Sequence, residues 1–198
     1  LATLDLGPDR EHWETTRDGV LATLDALRPD VIALQDVLQT PELPNQACWL
    51  AGRLGYSCHF ITADPPSRPR REGNALLTRR RIIEDAVTVL HPYQLATTAG
   101  LLRLDIDGTA VNVYVTQLSR GDGDDPTLRT RQVHNLLRWI EATAEEAPSI
   151  VAGDLGAAGD AQDLAELTAA YRDDAASGGS PPSGTDTASS ALVLPGPA

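Results

Sequence analysis

The dipeptide Asp107-Gly108 separates two runs, 101–106 and 109–118, that alternate or run apolar on either side of it. Aspartate and glycine tolerate the positive φ angles of a two-residue hairpin turn, so the spacing predicts two antiparallel strands with a buried face. The continuous apolar run 31–34 and the largely apolar segment 149–152 lead into the carboxylates Asp36 and Asp154. Continuous runs of this length suit strands covered on both faces, each delivering its acid to a sheet edge.

Helical patterns lie between the strands. Gly7-Pro8-Asp9 supplies a turn and a cap, after which Trp13, Val20, Leu24 and Leu27 recur at helical spacing until Pro29. A short helix is predicted over 46–54, closed by Gly55, with strands over 1–6, 56–62 and 74–78 and a polar, proline-bearing loop over 64–73. Asp125 and Pro126 supply a cap and first-turn proline for a helix with the stripe Val133, Leu136, Leu137 and Ile140, and Asp160 caps a last helix running to about Tyr171. From Arg172 onward Ala, Ser, Gly and Pro dominate, and only 191–194 has the composition of a strand. The expectation is an α/β (α+β) domain over 1–171, with mixed sheets covered by helices, followed by a tail over 172–198.

Composition narrows the partners. A chain of 198 residues that is 41% hydrophobic suits one core. Its formal charge of −12 argues against nonspecific nucleic-acid binding or an anionic membrane surface, which need a basic face. No apolar run approaches the roughly 20 residues of a spanning helix. A soluble protein is expected, with a bacterial cytoplasmic setting favoured; the Ala, Arg, Gly and Pro usage and absence of lysine suggest GC-rich coding. Any upstream targeting segment lies outside this sequence. Cys48 and Cys58 are too few for a tetrahedral zinc site and are expected to be two small buried thiols.

Four stretches carry the chemistry: Leu34-Gln35-Asp36, Gly73-Asn74-Ala75-Leu76-Leu77-Thr78-Arg79, Thr116-Gln117-Leu118 and Gly153-Asp154-Leu155-Gly156. In their order along the chain they resemble the motifs of the endonuclease/exonuclease/phosphatase superfamily, whose usual readings are LQE, GNAILSR, THL and GDFN. The resemblance implies two packed mixed sheets with helices on the outer faces, a four-layer sandwich. It also implies a further C-terminal strand carrying Ser-Asp-His, which this sequence does not contain, so the last strands of the sandwich are expected to be missing.

Family members hydrolyse phosphoesters, which needs hard oxygen ligands for a magnesium-like ion, a base for water and a donor facing the developing charge. By resemblance, Asp5 and Asp36 stand at the metal positions, where an asparagine and a glutamate are usual. Asp154, Gln117 and Gly156 stand at catalytic positions, and Asn74 and Arg79 border the substrate cleft. Asp154 alone keeps the family residue among these catalytic positions. Gln117 replaces a histidine and can donate a hydrogen bond but cannot carry charge or exchange a proton near neutral pH. Gly156 removes an amide altogether. Magnesium binding is therefore expected to be weak.

Arg68, Arg70, Arg71, Arg79, Arg80 and Arg81 place six of the 16 cations within fourteen residues. In a chain without lysine these are expected to be mainly solvated charges, although arginine forks also suit phosphate. Arg129 and Gln132 match a family spacing read as structural, while His12, His59, His91 and His134 fall at no catalytic place. Three functions follow from the resemblance. The favoured one is a member with an eroded phosphoesterase site, retained to bind a small-molecule or protein ligand or remodelled chemically. The others are an active magnesium-dependent phosphoesterase completed by residues outside this chain, and a structural module of a larger assembly. A sheet lacking its last strands is expected to self-associate or to be covered by the tail.

Overall fold

The computed structural model describes residues 1–7, 9–119, 127–156, 162–173 and 189–193. In chain order the elements are β1 (Ala2–Asp5), α1 (Arg10–Leu27), β2 (Val31–Gln39), α2 (Gln46–Leu54), β3 (Ser57–Ile61), β4 (Arg71–Thr78), β5 (Arg81–Val89), β6 (Thr98–Ile106), β7 (Thr109–Gln117), α3 (Leu128–Thr143), β8 (Ser149–Asp154), α4 (Ala165–Ala170), β9 (Arg172–Asp173) and β10 (Ser189–Val193). They form a four-stranded sheet, β1-β2-β4-β3, and a six-stranded sheet, β5-β6-β7-β8-β10-β9. The pairs β1–β2 and β7–β8 are parallel and the remainder antiparallel, so both sheets are mixed.

Side-chain alternation along the strands builds the layers. Ile32 and Leu34 of β2, with Ala75 and Leu77 of β4, face outward onto Trp13 and Leu24 of α1 and Leu50 of α2. The opposite faces carry Val31, Ala33 and Leu76, which meet Leu102, Leu104, Val113 and Val115 of the second sheet. Tyr114 and Val151 turn away from that interface onto Val133, Leu136 and Ile140 of α3 and Leu167 of α4. The result is the four-layer α/β sandwich, each buried large side chain contributing about 1.5–3 kcal/mol.

Local chemistry fixes the element ends. Asp9 Oδ1 accepts from the His12 N–H at 2.7 Å and Asn45 Oδ1 from the Cys48 N–H at 3.0 Å, the caps of α1 and α2. The β6–β7 hairpin turns at Asp107 (φ 53°) and Gly108 (φ 89°), as the dipeptide predicts. Leu27, expected on the buried stripe, is instead 66% exposed at the end of α1.

Four further departures bear on the site. First, β2 does not end at Asp36; it continues to Gln39 through an irregularity between Leu34 and Val37, with Asp36 at φ 52°. Such a bulge re-aims one side chain without ending the strand. Second, the sequence reading has no strand at β5, an edge strand largely open to solvent. Third, Cys48 and Cys58 form a disulfide joining α2 to β3, which corrects the expectation of two thiols. Fourth, the last helix begins at Ala165 after a 3-10 turn over Gln162–Leu164. The expected caps Asp160 and Asp125-Pro126 lie outside the described residues.

The tail contributes β10, antiparallel to β8 with Leu192 opposite Val151, and two residues of β9. Its strand starts two residues earlier than the apolar run and occupies the sheet position next to β8. Among the described residues no helix is long and apolar enough to cross a membrane.

Candidate active-site cleft

One end of the sandwich opens into a cleft of about 580 Å³ between the two sheets. The bulge of β2 presents Asp36, β4 presents Asn74, and the end of β7 presents Gln117. Thr98, at the start of β6, and Ser119 complete the polar wall, while Arg68 and Arg70 enter from the loop before β4. Leu95 and Ala96 supply an apolar lip.

Asp154 ends β8 directly beside Gln117 in the parallel ladder and is 3% exposed. Its Oδ1 accepts from the Gly156 N–H at 2.8 Å, and its carbonyl accepts from the Leu118 N–H at 2.8 Å. Gly153, one residue earlier, must be glycine: at φ 145° a Cβ would stand 1.9 Å from the Thr116 carbonyl oxygen. The two strands approach closely there, and this sets Asp154 beside Gln117, which lines the cleft.

Gly156 is equally constrained. Its φ is 71°, and a Cβ would lie 2.5 Å from the Ser119 carbonyl oxygen and 3.0 Å from that of Leu118. Neither oxygen is on a loose loop. The Ser119 N–H donates to Gln132 Oε1 at 2.9 Å, and one Arg129 guanidinium nitrogen donates to both the Gly156 carbonyl (2.6 Å) and the Ser119 carbonyl (3.3 Å). Gln132, fully buried, also donates to Thr97 Oγ1 at 3.1 Å. Arg129 and Gln132 are thus positioning residues that lace the turn after β7 to the turn after β8. That matches their structural reading.

Asp5 ends β1 as the ladder neighbour of Gln35, and its Oδ1 accepts from the Gly7 N–H at 2.8 Å. Of the three carboxylates expected to gather, Asp36 lines the cleft, while Asp5 and Asp154 each commit one oxygen to a backbone amide two residues on. Among the described residues no three His, Cys, Asp or Glu side chains are grouped to hold a metal ion. Were magnesium bound, Asp5 and Asp36 would by family position be the carboxylates that supply it with hard oxygen atoms.

Arg79, expected to border the cleft, is not among the residues that line it. It follows β4 at the end opposite the cleft, five residues or roughly 16 Å along the strand from Asn74. There it donates to the Arg28 carbonyl at 2.8 Å and stacks over Tyr56. Arg80 pairs with Asp30 and Asp107, and Arg81 with Asp105, so these cations brace sheet edges. Arg68 and Arg70 do reach the cleft, each already paired, with Asp64 and Glu72. Burial pushes the Asp64 carboxyl up, but the Glu72 N–H and the Arg68 guanidinium outweigh it and hold the group below the usual carboxylate range.

Asn74 is 3% exposed. Its Nδ2 donates to the Thr98 carbonyl at 3.2 Å, which fixes the amide's orientation. Among the described residues its Oδ1 has no hydrogen-bond partner. Thr97, Thr98, Ser119 and Asp64 were not singled out from sequence. The turn residues around them carry no distinctive pattern.

The chain matches the Endonuclease/Exonuclease/phosphatase family over residues 5–195, and it belongs to that family. No curated protein sequence matches it. Among solved structures, the human Nocturnin catalytic domain with bound sulfate anion is similar at a TM-score of 0.72 and 21% identity, over 92% of this chain and 75% of that one. Humanized D. rerio TDP2 superposes at 0.75 with 17% identity, covering 98% and 82%. An endonuclease/exonuclease/phosphatase from Bacteroides vulgatus gives 0.74 with 14% identity, covering 98% and 85%. At these identities the likeness is one of fold.

Proposed function

We propose that this family member uses the cleft to bind a small ligand and hydrolyses phosphoesters poorly or not at all. The observation that carries the reading is the closed turn at Gly156. A side chain there meets the Ser119 carbonyl at 2.5 Å, so the amide that family members place beside the phosphate has no room. Gln117 supports the same reading, since it occupies the wall of the cleft as a neutral amide. Losing one transition-state donor costs about 10² to 10³ in rate, and losing acid/base help roughly 10² to 10⁴. The two losses need not multiply, yet either one alone makes a phosphoesterase slow.

What remains is suited to binding. Asp36, Asn74 and Gln117, carried on β2, β4 and β7, and Ser119 in the turn after β7 give the cleft hydrogen-bonding groups beside an apolar lip. The net charge of −12 supports a small ligand over nucleic acid. Magnesium is common in the family, but the placement of Asp5, Asp36 and Asp154 supports only weak binding here. Calorimetric titration of magnesium into the full chain, paired with a plasmid-nicking assay, tests this. We expect no stoichiometric binding at micromolar metal and no nicking; tight one-to-one binding with nicking would establish an active phosphoesterase instead.

A further inference from the structure

We propose that Tyr93 and Leu95 are specificity-determining residues of the cleft, selecting a ligand that carries a flat aromatic ring beside the polar group it sends inward. The proposal rests on the reading of the cleft as a binding pocket and adds the chemistry of its occupant. Six large hydrophobic side chains are exposed among the described residues, and two of them, Tyr93 (67%) and Leu95 (51%), stand on one three-residue 3-10 turn between β5 and β6. Leu95 itself lines the cleft. Single exposed apolar residues need no explanation, but a pair of them at the mouth of a polar pocket presents accessible surface for a ligand to cover.

The turn holds this surface outward by construction. The Leu95 N–H donates to the Pro92 carbonyl and the Ala96 N–H to the Tyr93 carbonyl, both at 3.1 Å, and Ala96 closes the turn at φ 52°. The Leu90 N–H donates to the Thr97 carbonyl at 2.8 Å across the base of the turn, and Leu90 is the side chain that goes into the core. Helix α3 holds both flanks: Asn135 Oδ1 accepts from the His91 N–H at 3.1 Å, and Gln132 Nε2 donates to Thr97 Oγ1 at 3.1 Å. The His91 ring packs edge-on against Tyr93, with centroids 5.5 Å apart and planes at 74°, which steadies the tyrosine and leaves most of it in water. A platform fixed before binding loses little conformational freedom when a ligand arrives.

Size and shape select the occupant. Tyr93 and Leu95 together present on the order of 200 Å² of surface, well short of the roughly 800 Å² that each partner gives to a stable protein interface. A flexible alkyl chain loses rotamer freedom on binding and needs a long groove. One rigid ring covers Leu95 and meets the tyrosine in a stacked or edge-to-face contact, with little freedom to lose. Lying there, the ring borders a pocket in which Thr97, Thr98, Gln117 and Ser119 bring hydrogen-bonding groups to a polar substituent. A cleft of about 580 Å³ holds one such ring and its substituent.

Nuclear magnetic resonance titration of the full chain tests the proposal with two pairs of probes at millimolar concentration, benzamide against acetamide and phenyl phosphate against methyl phosphate. Covering on the order of 60 Å² of ring is worth about tenfold in affinity. In at least one pair the aryl probe should therefore bind about tenfold tighter than its methyl counterpart and shift the Leu95 methyl and Tyr93 ring signals. The cyclohexyl counterpart of that aryl probe should bind about threefold more weakly, because the contact with Tyr93 favours an aromatic partner. Tyr93→Ala and Leu95→Ala, both at exposed positions, should each cut the aryl preference at least threefold and leave the methyl probes unchanged. Equal binding of aryl and methyl probes in both pairs, or an aryl preference that survives the two substitutions together, would overturn the proposal. A cyclohexyl probe as tight as the aryl one would overturn it in favour of a merely apolar lip, and Leu95 and Tyr93 signals unmoved by every probe would place no ligand there at all. Ring-dependent binding with turnover of phenyl phosphate would refute the proposed function and leave this inference standing, whereas ring-independent binding without turnover would do the reverse.

Discussion

Placing the family's asparagine at Gly156 should not restore a phosphoesterase; it should damage the fold. Gly156 has φ 71°, and the left-handed region costs an L-residue roughly 1–2 kcal/mol, less for asparagine than for alanine. The larger cost is steric. A Cβ at 2.5 Å from the Ser119 oxygen must displace a backbone that Gln132 and Arg129 hold from the other side. Overpacking of this kind costs about 1–3 kcal/mol, giving a total of roughly 2–4 kcal/mol for Gly156→Asn. For a domain of this size that lowers Tm by about 5–15 °C. Thermal unfolding followed by circular dichroism measures it, with Gly156→Ala as the control for the steric part. A Gly156→Asn protein within 1 °C of the parent would mean that the turn opens freely, and the steric argument would fail.

Other consequences are equally accessible. The double substitution Cys48→Ser, Cys58→Ser opens a loop closed across a separation of 10 residues and should cost about 2.5–3 kcal/mol in chemical denaturation, with the reductant sensitivity of the parent lost. Arg103, 8% exposed in its side chain, binds Asn112 Oδ1 at 2.9 Å, the Thr143 carbonyl at 2.6 Å and Glu84 at 2.7 Å. Arg103→Leu should therefore cost about 2–4 kcal/mol, read from the urea midpoint. The Gly108 N–H and the Arg81 guanidinium hold the Asp105 carboxyl below the usual range. Its stabilising share is thus present above about pH 4 and lost as pH falls through the depressed value, so Asp105→Asn should flatten the acid arm of the stability profile. Ending the chain at Asp173 removes β10 and bares the edge of β8, which should produce self-association visible by light scattering; a monomer of unchanged Tm would show that the strand contributes nothing.

What the sequence revealed follows from how local each signal is. The 107–108 hairpin, the Asp9 cap and the glycine that closes α2 depend on a few consecutive residues, and each stands where the pattern placed it. The bulge at Asp36 depends on how β2 meets β4, strands some forty residues apart, so an apolar run ending in an acid read as a strand end. The edge strand β5 was hidden by Arg81, Glu84 and Asp85, since an edge open to water carries charge where a central strand carries valine. Arg79 looked like a cleft residue because its motif is contiguous with Asn74, yet a strand of eight residues spans the sheet and separates its two ends. The role of Gly156 was legible only as a missing amide; that the missing side chain has no room became visible once the turn after β7 was placed against it.

The central claim, a family cleft that binds without hydrolysing phosphoesters, is tested most directly by turnover of bis(p-nitrophenyl) phosphate and p-nitrophenyl phosphate with magnesium or manganese, comparing the full chain with Asp154→Ala. The account predicts that both proteins remain at the metal-only background. A robust rate in the unmodified chain, abolished by Asp154→Ala, would contradict it.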